Sequence, residues 1–207
     1  MSESVAYIDH MKPWQRSVKR LFDIFFAAIA LLLVSPFALL ILLTIKWESE
    51  GPALFCQERV GYKGKIFSMY KFRSMYQHAE DGTQPLLCQE NDIRLTPFGK
   101  FIRDHHLDEI PQLWNILKGD MSFVGPRPER KHFVDIIMQH NPNYVYLYQL
   151  RPGVFSYATL YNGYTDTIEK MLERLRLDLD YLTTRTLYVD MEIIVKTLYY
   201  ILSGKRF

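Results

Sequence analysis

Two adjacent carboxylates, Asp108 and Glu109, and an arginine held between two prolines, Pro126-Arg127-Pro128, are the residues best placed to do chemistry. Proline is tolerated in a helix's first turn, where its missing N–H has no partner to lose. Pro111 therefore predicts that Asp108 and Glu109 open a helix running through Leu113, Trp114 and Leu117 and closing near Gly119. Such a terminus favours negative charge and leaves backbone N–H groups free to meet anions. Pro126 fixes its own φ and Pro128 pushes Arg127 toward extended backbone, so the guanidinium starts from few conformations. The stretch thus offers carboxylates and an anion-binding arginine on rigid supports. The plainer alternative is an Asp cap, a dipole-favoured Glu and a turn arginine.

The elements that must position these residues begin with the chain's size. At 207 residues it holds one ordinary domain, with room for an appendage. Its hydrophobic share of 48% and aromatic share of 14% are high, and a net charge of +2 gives no argument for nucleic acid. Cys56 and Cys88 form no C-x-x-C pattern, which points to free thiols in a reducing compartment.

From Leu21 to Ile45 the chain is almost wholly apolar, broken by Asp23, Ser35, Pro36 and Thr44. At about 1.5 Å per residue, Ile24 to Ile45 is long enough to span a hydrocarbon core. Lys12, Arg16, Lys19 and Arg20 flank one end; Lys46, Arg59, Lys63 and Lys65 follow the other. Positive residues belong on the cytoplasmic side, and here both flanks qualify. A helix broken at Ser35-Pro36 that enters and leaves by one leaflet satisfies both, whereas the alternative is a spanning helix with a proline kink. Asp23 needs a partner near the interface, which Lys19 or Arg20 could supply.

After Gly51-Pro52, Ala53 to Arg59 and Lys65 to Met75 predict a hairpin turning through Gly61-Tyr62-Lys63-Gly64. Alternation puts Lys71 and Arg73 on one face, as phosphate ligands or a solvated basic edge. Tyr76 to Asn91 reads as a polar loop, and Arg94 to Gly99 leads into a short helix reaching Arg103. His105 and His106 lack metal-site companions and read as structural. Glu129 to His140 predicts a helix. A stripe of Ile168, Met171, Leu172, Leu175, Leu179 and Leu182 predicts another, and Leu187 to Leu202 a last one with Met191, Ile194, Val195, Leu198 and Ile201 inward.

Taken in order, these pieces resemble the bacterial sugar transferase family, the small monotopic phosphoglycosyl transferases. Lys19-Arg20-x-x-Asp23 and Ser35-Pro36 look like its re-entrant membrane helix, while Pro52-x-x-Phe55-x-Gln57-x-Arg59-x-Gly61 and Lys71-Phe72-Arg73-Ser74-Met75 look like its hairpin. Arg94-x-Thr96-x-x-Gly99-x-x-x-Arg103 is similar as well. The most specific matches are Leu107-Asp108-Glu109-x-Pro111-Gln112-Leu113-x-Asn115 and Gly119-Asp120-Met121-Ser122-x-Val124-Gly125-Pro126-Arg127-Pro128. After Arg151-Pro152-Gly153 the sequence departs from the family's run, and Tyr164 stands where that run ends in arginine.

The resemblance implies an α+β, mainly helical fold. Residues 12–48 would form a Ser-Pro-broken re-entrant membrane helix, and residues 49–207 a cytoplasmic catalytic domain with a short hairpin and C-terminal amphipathic helices. It implies transfer of a phospho-sugar from a nucleoside diphosphate sugar, a UDP-sugar, to polyprenol (undecaprenyl) phosphate at the inner membrane's cytoplasmic face, as the first membrane step of a glycan pathway. Asp108 would be the nucleophile, forming an aspartyl adduct, and Glu109 a metal ligand or electrostatic partner beside it. Mg2+ would be the cofactor, held by Glu109 and Asp108. Arg127 would grip phosphate, with Lys71, Arg73, Arg94, Arg103 and Arg151 as further anion ligands. Lys19, Arg20, Asp23, Ser35 and Pro36 would meet the membrane and lipid head-group. A silent membrane-anchored scaffold of the same fold and a nucleotide-sugar diphosphatase are the competing functions.

Overall fold

The apolar run folds as one helix, α1 (Pro13–Glu48). The computed structural model describes residues 7–77, 79, 92–163, 165 and 167–203. Only Asp23, Ala27, Ile41 and Ile45 of α1 are buried, while Leu32, Leu33 and Phe37 are 75%, 67% and 65% exposed. Among the described residues, α1 is the one helix long and apolar enough to cross a membrane. It runs on through Ser35-Pro36 without losing helical assignment. Pro36 has no N–H for the carbonyl four residues back, that of Leu32, and the Ser35 hydroxyl donates to that carbonyl instead, at 2.9 Å. The serine therefore satisfies the acceptor that its proline neighbour leaves open.

The expected hairpin forms from β1 (Leu54–Val60) and β2 (Ile66–Phe72), antiparallel with Leu54 opposite Phe72 and Val60 opposite Ile66. Its connection is a 3₁₀ turn over Tyr62–Gly64. A lone hairpin is marginal in water, and here a short helix, α3 (Gln112–Lys118), completes it. Asn115, fully buried, accepts from the Tyr70 N–H at 3.0 Å and donates to the Ser68 carbonyl at 2.7 Å. One side-chain amide thus pairs with β2 as a further strand would. Below it, Ile116 and Met121 pack with Met69 and with Ala27 of α1.

Lys71 and Arg73 do not project together. β2 ends at Phe72, and Arg73 turns to the far end of α1, donating to the carbonyl and hydroxyl of Ser49 at 2.7 and 2.8 Å. Phe72 and Ala53 pack there against Ile41, Ile45 and Ile102, the last from α2 (Pro97–Asp104). Thr96 caps α2 by accepting from the Gly99 N–H at 2.9 Å.

A parallel pair that the sequence pattern did not show, β3 (Ser122–Val124) with β4 (Gly153–Phe155), crosses the middle of the domain. The approach is so close that a Cβ on Gly125 would sit 2.2 Å from the Arg151 carbonyl, which is why the motif needs glycine there. Around the pair lie α4 (Lys131–His140), a 3₁₀ run over Pro142–Gln149, α5 (Tyr157–Asn162), α6 (Ile168–Thr184) and α7 (Leu187–Leu202). Their main core joins Val124, Phe133, Ile137, Leu147, Leu175 and Leu182. The α6 stripe packs as expected, except that Ile168 is exposed. α7 is rotated from the face expected: Ile193, Thr197 and Asp190 are buried and Ile194 packs half-buried on the core, while Met191, Val195 and Leu198 are exposed. Both faces of α7 are apolar, so periodicity could not choose between them. The choice follows from Asp190, which meets Lys19 of α1 at 2.7 Å and accepts from the Tyr181 hydroxyl at 2.5 Å.

Candidate active site

Asp108 and Glu109 lie in a 3₁₀ turn, Leu107–Glu109, that precedes α3 rather than in α3's first turn. Pro111 is the residue before α3, and Gly119 closes that helix with a left-handed φ of 93°. His106 enters the turn with φ 55°, an uncommon backbone for a residue with a side chain. This left-handed residue folds the chain back after α2, so that Asp108 faces the hairpin and not solvent. Asp108 is 5% exposed, and its carboxylate lies 3.7 Å from the Lys71 ammonium. Glu109 takes the same ammonium at 2.6 Å and the Arg127 guanidinium at 3.5 Å.

The two carboxyls are driven apart electrostatically. Burial pushes Asp108 above the usual carboxylate range; Lys71 pulls it back only in part, and Glu109 adds repulsion. Burial also works against Glu109, but Lys71 and Arg127 together outweigh it and hold that carboxyl below its ordinary range. Glu109 is therefore the fixed anion of the pair, and Asp108 the group whose charge is least compensated. Arg103 and His106 also act on Asp108 through space, and both lower its pKa.

Of the residues singled out from sequence, Asp108, Glu109, Lys71 and Arg127 come together, with Arg103 in electrostatic range. Others are engaged elsewhere. Arg73 holds the end of α1, and Arg94 grips Asp92 at 2.7 Å. Arg151 donates to the Gly119 carbonyl at 3.0 Å and lies over the Tyr62 ring. Arg20 donates to the carbonyls of Ile116 and Leu117 at 2.8 and 3.1 Å. Two arginines thus neutralise the negative end of α3. Asp23 finds its partner in the Phe123 N–H at 3.1 Å, not in a salt bridge with Lys19 or Arg20. Lys19 is paired with Asp190, and Ser35 and Pro36 sit midway along α1. Tyr164, at the end of the atypical run, lies outside the described residues. From sequence His106 reads as structural, because the His105–His106 pair lacks the companions of a metal site; its left-handed backbone is visible only in three dimensions.

Among the described residues, no three His, Cys, Asp or Glu side chains converge. Mg2+ characteristically binds through one or two carboxylates, with substrate phosphates and water completing its shell. Asp108 and Glu109 are the oxygen donors that would hold it.

The fold thus sets a long apolar helix on a domain that carries a buried, cation-flanked carboxylate pair beside a partly exposed arginine. The chain belongs to the bacterial sugar transferase family, whose model matches residues 14–204. It is 42% identical over 188 residues to the UDP-N-acetylgalactosamine-undecaprenyl-phosphate N-acetylgalactosaminephosphotransferase of Aeromonas hydrophila, covering 90% of this chain and 44% of that protein. It is 41% identical over 181 residues to the UDP-glucose:undecaprenyl-phosphate glucose-1-phosphate transferase of Caulobacter vibrioides, covering 86% of this chain and 67% of that one. The identically named protein of Escherichia coli K12 is 38% identical over 186 residues, with 89% and 40% covered. The chain thus spans less than half the length of two of these relatives.

Proposed function

We propose that this chain transfers a phospho-sugar from a UDP-sugar to undecaprenyl phosphate through a covalent adduct on Asp108. The observation that carries the reading is the buried Asp108 carboxylate, held 3.7 Å from Lys71 beside the Glu109–Arg127 pair. Relatives whose names give these two substrates support it.

In the first step an Asp108 oxygen attacks the phosphorus that bears the sugar. The new O–P bond forms as the bond from that phosphorus to the bridging oxygen breaks, and the nucleoside monophosphate leaves with the electron pair. A phosphate oxygen of the polyprenol then attacks the same phosphorus and displaces the carboxylate, restoring Asp108. Partial desolvation raises the free energy of the Asp108 anion, which favours its attack. Lys71 keeps enough of it ionised and faces the charge that develops on the phosphoryl oxygens. Arg127, 37% exposed at its side chain, grips a donor phosphate from the open side. Mg2+, when bound, supplies charge neutralisation between diphosphate and carboxylates.

The same reading gives α1 a task. Residues on both sides of Pro36 pack against one domain: Ala27 joins Met69 and Ile116, and Ile41 and Ile45 join Phe72 and Ile102. Glu48 accepts from the Phe98 N–H at 2.8 Å. α1 is re-entrant, dipping into the cytoplasmic leaflet of the inner membrane and returning. The lipid phosphate at the interface and the soluble donor then meet at Asp108.

The test incubates the purified protein with radiolabelled nucleotide sugars, with and without undecaprenyl phosphate and Mg2+. A lipid-extractable product that is lost in Asp108→Asn is expected. An equally active Asp108→Asn removes the nucleophile assignment. A water-soluble product formed without lipid would mean a diphosphatase, and no turnover of any donor a scaffold.

A further inference from the structure

The backbone around Arg127 is held by buried charges that the proposed reaction does not use. Glu129, two residues on, meets Arg174 of α6 at 2.6 Å and Arg59 of β1 at 3.8 Å, with no side chain of the three more than 16% exposed. Arg59 also donates to the Pro128 carbonyl at 3.0 Å, and the Val60 N–H to the Glu129 carbonyl at 3.0 Å. On the other edge, the Gly125 N–H donates to the Phe155 carbonyl at 3.0 Å and the Gly153 N–H to the Pro126 carbonyl at 2.9 Å. The segment is therefore tied to β1 and α6 on one side and to β4 on the other, with Arg127 between the ties.

Electrostatics make Glu129 the member that matters. Arg59 is largely buried, which lowers its pKa to about 10; Glu129 pulls it back up, whereas Arg127 and Arg130 push it down. Arg127 and Arg130 thus both repel the buried Arg59, and Glu129 is the counter-charge nearest to it. Asp178, one turn along α6 from Arg174, cannot take over the role. Burial pushes its carboxyl up to about 7, against the pull of Arg174, and its hydrogen-bonding partner is the Ser156 hydroxyl at 3.5 Å. A small cavity of mixed lining, where Arg127, Glu129, Arg174 and Asp178 meet Ile137 and Leu175, lies on this side of the arginine. A buried ion pair is a weak source of net stability, but it defines one geometry, and losing one partner leaves the other charge stranded.

We infer that Glu129, clamped by Arg59 and Arg174, is the positioning residue for Arg127, acting on phosphoryl transfer through that arginine without touching substrate. The inference rests on the function proposed above. It also links α6, none of whose residues was singled out from sequence as a site residue, to Arg127.

A double-mutant cycle on kcat/KM for the nucleotide sugar tests it, using Glu129→Gln, Arg127→Ala and the pair. Glu129→Gln alone lowers kcat/KM at least tenfold, yet has less than a threefold effect once Arg127 is alanine; penalties that multiply overturn the inference. Hydrogen exchange on the same proteins gives a readout independent of turnover. The Val60 amide, which donates to the Glu129 main-chain carbonyl, exchanges at least fivefold faster once the Glu129→Gln change frees that backbone from its side-chain clamp, while the α6 amides hold their protection. Unchanged exchange at Val60 overturns the inference as well. Arg174→Met, which removes the same pair, replaces Glu129→Gln in the cycle should that variant not fold, and Arg174→Lys, which keeps the charge, restores most of what Arg174→Met loses. An inactive wild type would count against the proposed function, and the exchange data would still decide the positioning.

Discussion

Lys71 faces both carboxylates, at 3.7 Å from Asp108 and 2.6 Å from Glu109, so its charge sets how much of Asp108 is ionised. Burial raises the Asp108 pKa and Lys71 is the largest opposing influence. Removing the ammonium removes stabilisation of the charged form, so the pKa must rise further, and the acidic limb of the rate must move to higher pH. We expect Lys71→Met to shift that limb upward by about one unit or more, the size of effect a close opposite charge produces. The measurement is the pH dependence of nucleoside monophosphate release in a single turnover without lipid acceptor. That step excludes the ionisation of the polyprenol phosphate. A limb that stays in place while the rate falls would mean that Lys71 serves the substrate alone. At this scale the sequence carried a good deal: Asp108, Glu109, Lys71 and Arg127 were identifiable as residue types in order, and they do converge. It carried less about Arg73, Arg94 and Arg151, because a basic residue in a motif looks the same whether its guanidinium meets a substrate phosphate or a backbone carbonyl. Here all three hold neighbouring protein groups.

α3 is short, and isolated helices of this length are unstable in water, so its position depends on tertiary contacts. The largest polar one is Asn115, which offers β2 an acceptor and a donor at the spacing of a strand edge. Asn115→Ala takes from the Tyr70 N–H and the Ser68 carbonyl the partner of two part-buried bonds, and we expect a loss on the order of 1–3 kcal/mol. Asn115→Asp is the sharper probe. It keeps an acceptor for Tyr70 but loses the donor to Ser68 and places a second carboxylate near Asp120, which Asn115 now contacts at 3.3 Å. It should therefore destabilise at least as much as alanine. Denaturant unfolding in detergent measures both, and a change below about 0.5 kcal/mol in either would mean that α3 is held by its apolar face and the two arginines at its C-terminal end. Hairpin, α2, α4, α6 and α7 were readable from alternation, caps and stripes. The β3–β4 pair was not, because three-residue strands carry no period and their pairing joins residues far apart in sequence. α7 showed the converse limit: its existence was plain, but its inward face was decided by Lys19, on an element at the other end of the chain.

At the scale of the whole molecule, the placement of α1 against one domain limits how it can lie in a bilayer. Arg20 and Asp23 bond to α3 and to the Phe123 N–H; Ile45 and Glu48 pack against Phe72, Ile102 and Phe98. Arg20 and Ile45 are about 37 Å apart along a straight helix, more than the hydrocarbon thickness. A straight spanning α1 would carry one of these ends to the far side of the membrane, stripping buried contacts from the domain and leaving Arg73 without the Ser49 groups it holds. On the re-entrant reading proposed above, a bend at Pro36, where the helix lacks a backbone donor, would keep both ends on one side and put the exposed Leu32, Leu33 and Phe37 deepest. The positive flanks that the sequence shows on both sides of the apolar run are then on the same face of the membrane, as the charge rule requires. Single cysteines at Ser17 and Glu50, in a Cys56→Ser, Cys88→Ser background, separate the two arrangements. Both positions lie outside the apolar stretch and are exposed on the protein. With a membrane-impermeant maleimide we expect neither to label in intact spheroplasts and both to label once the membrane is opened. Labelling of one from outside and the other only from inside would establish a spanning helix, and the lipid substrate would then have to reach Asp108 from the interface without a helix that returns to it.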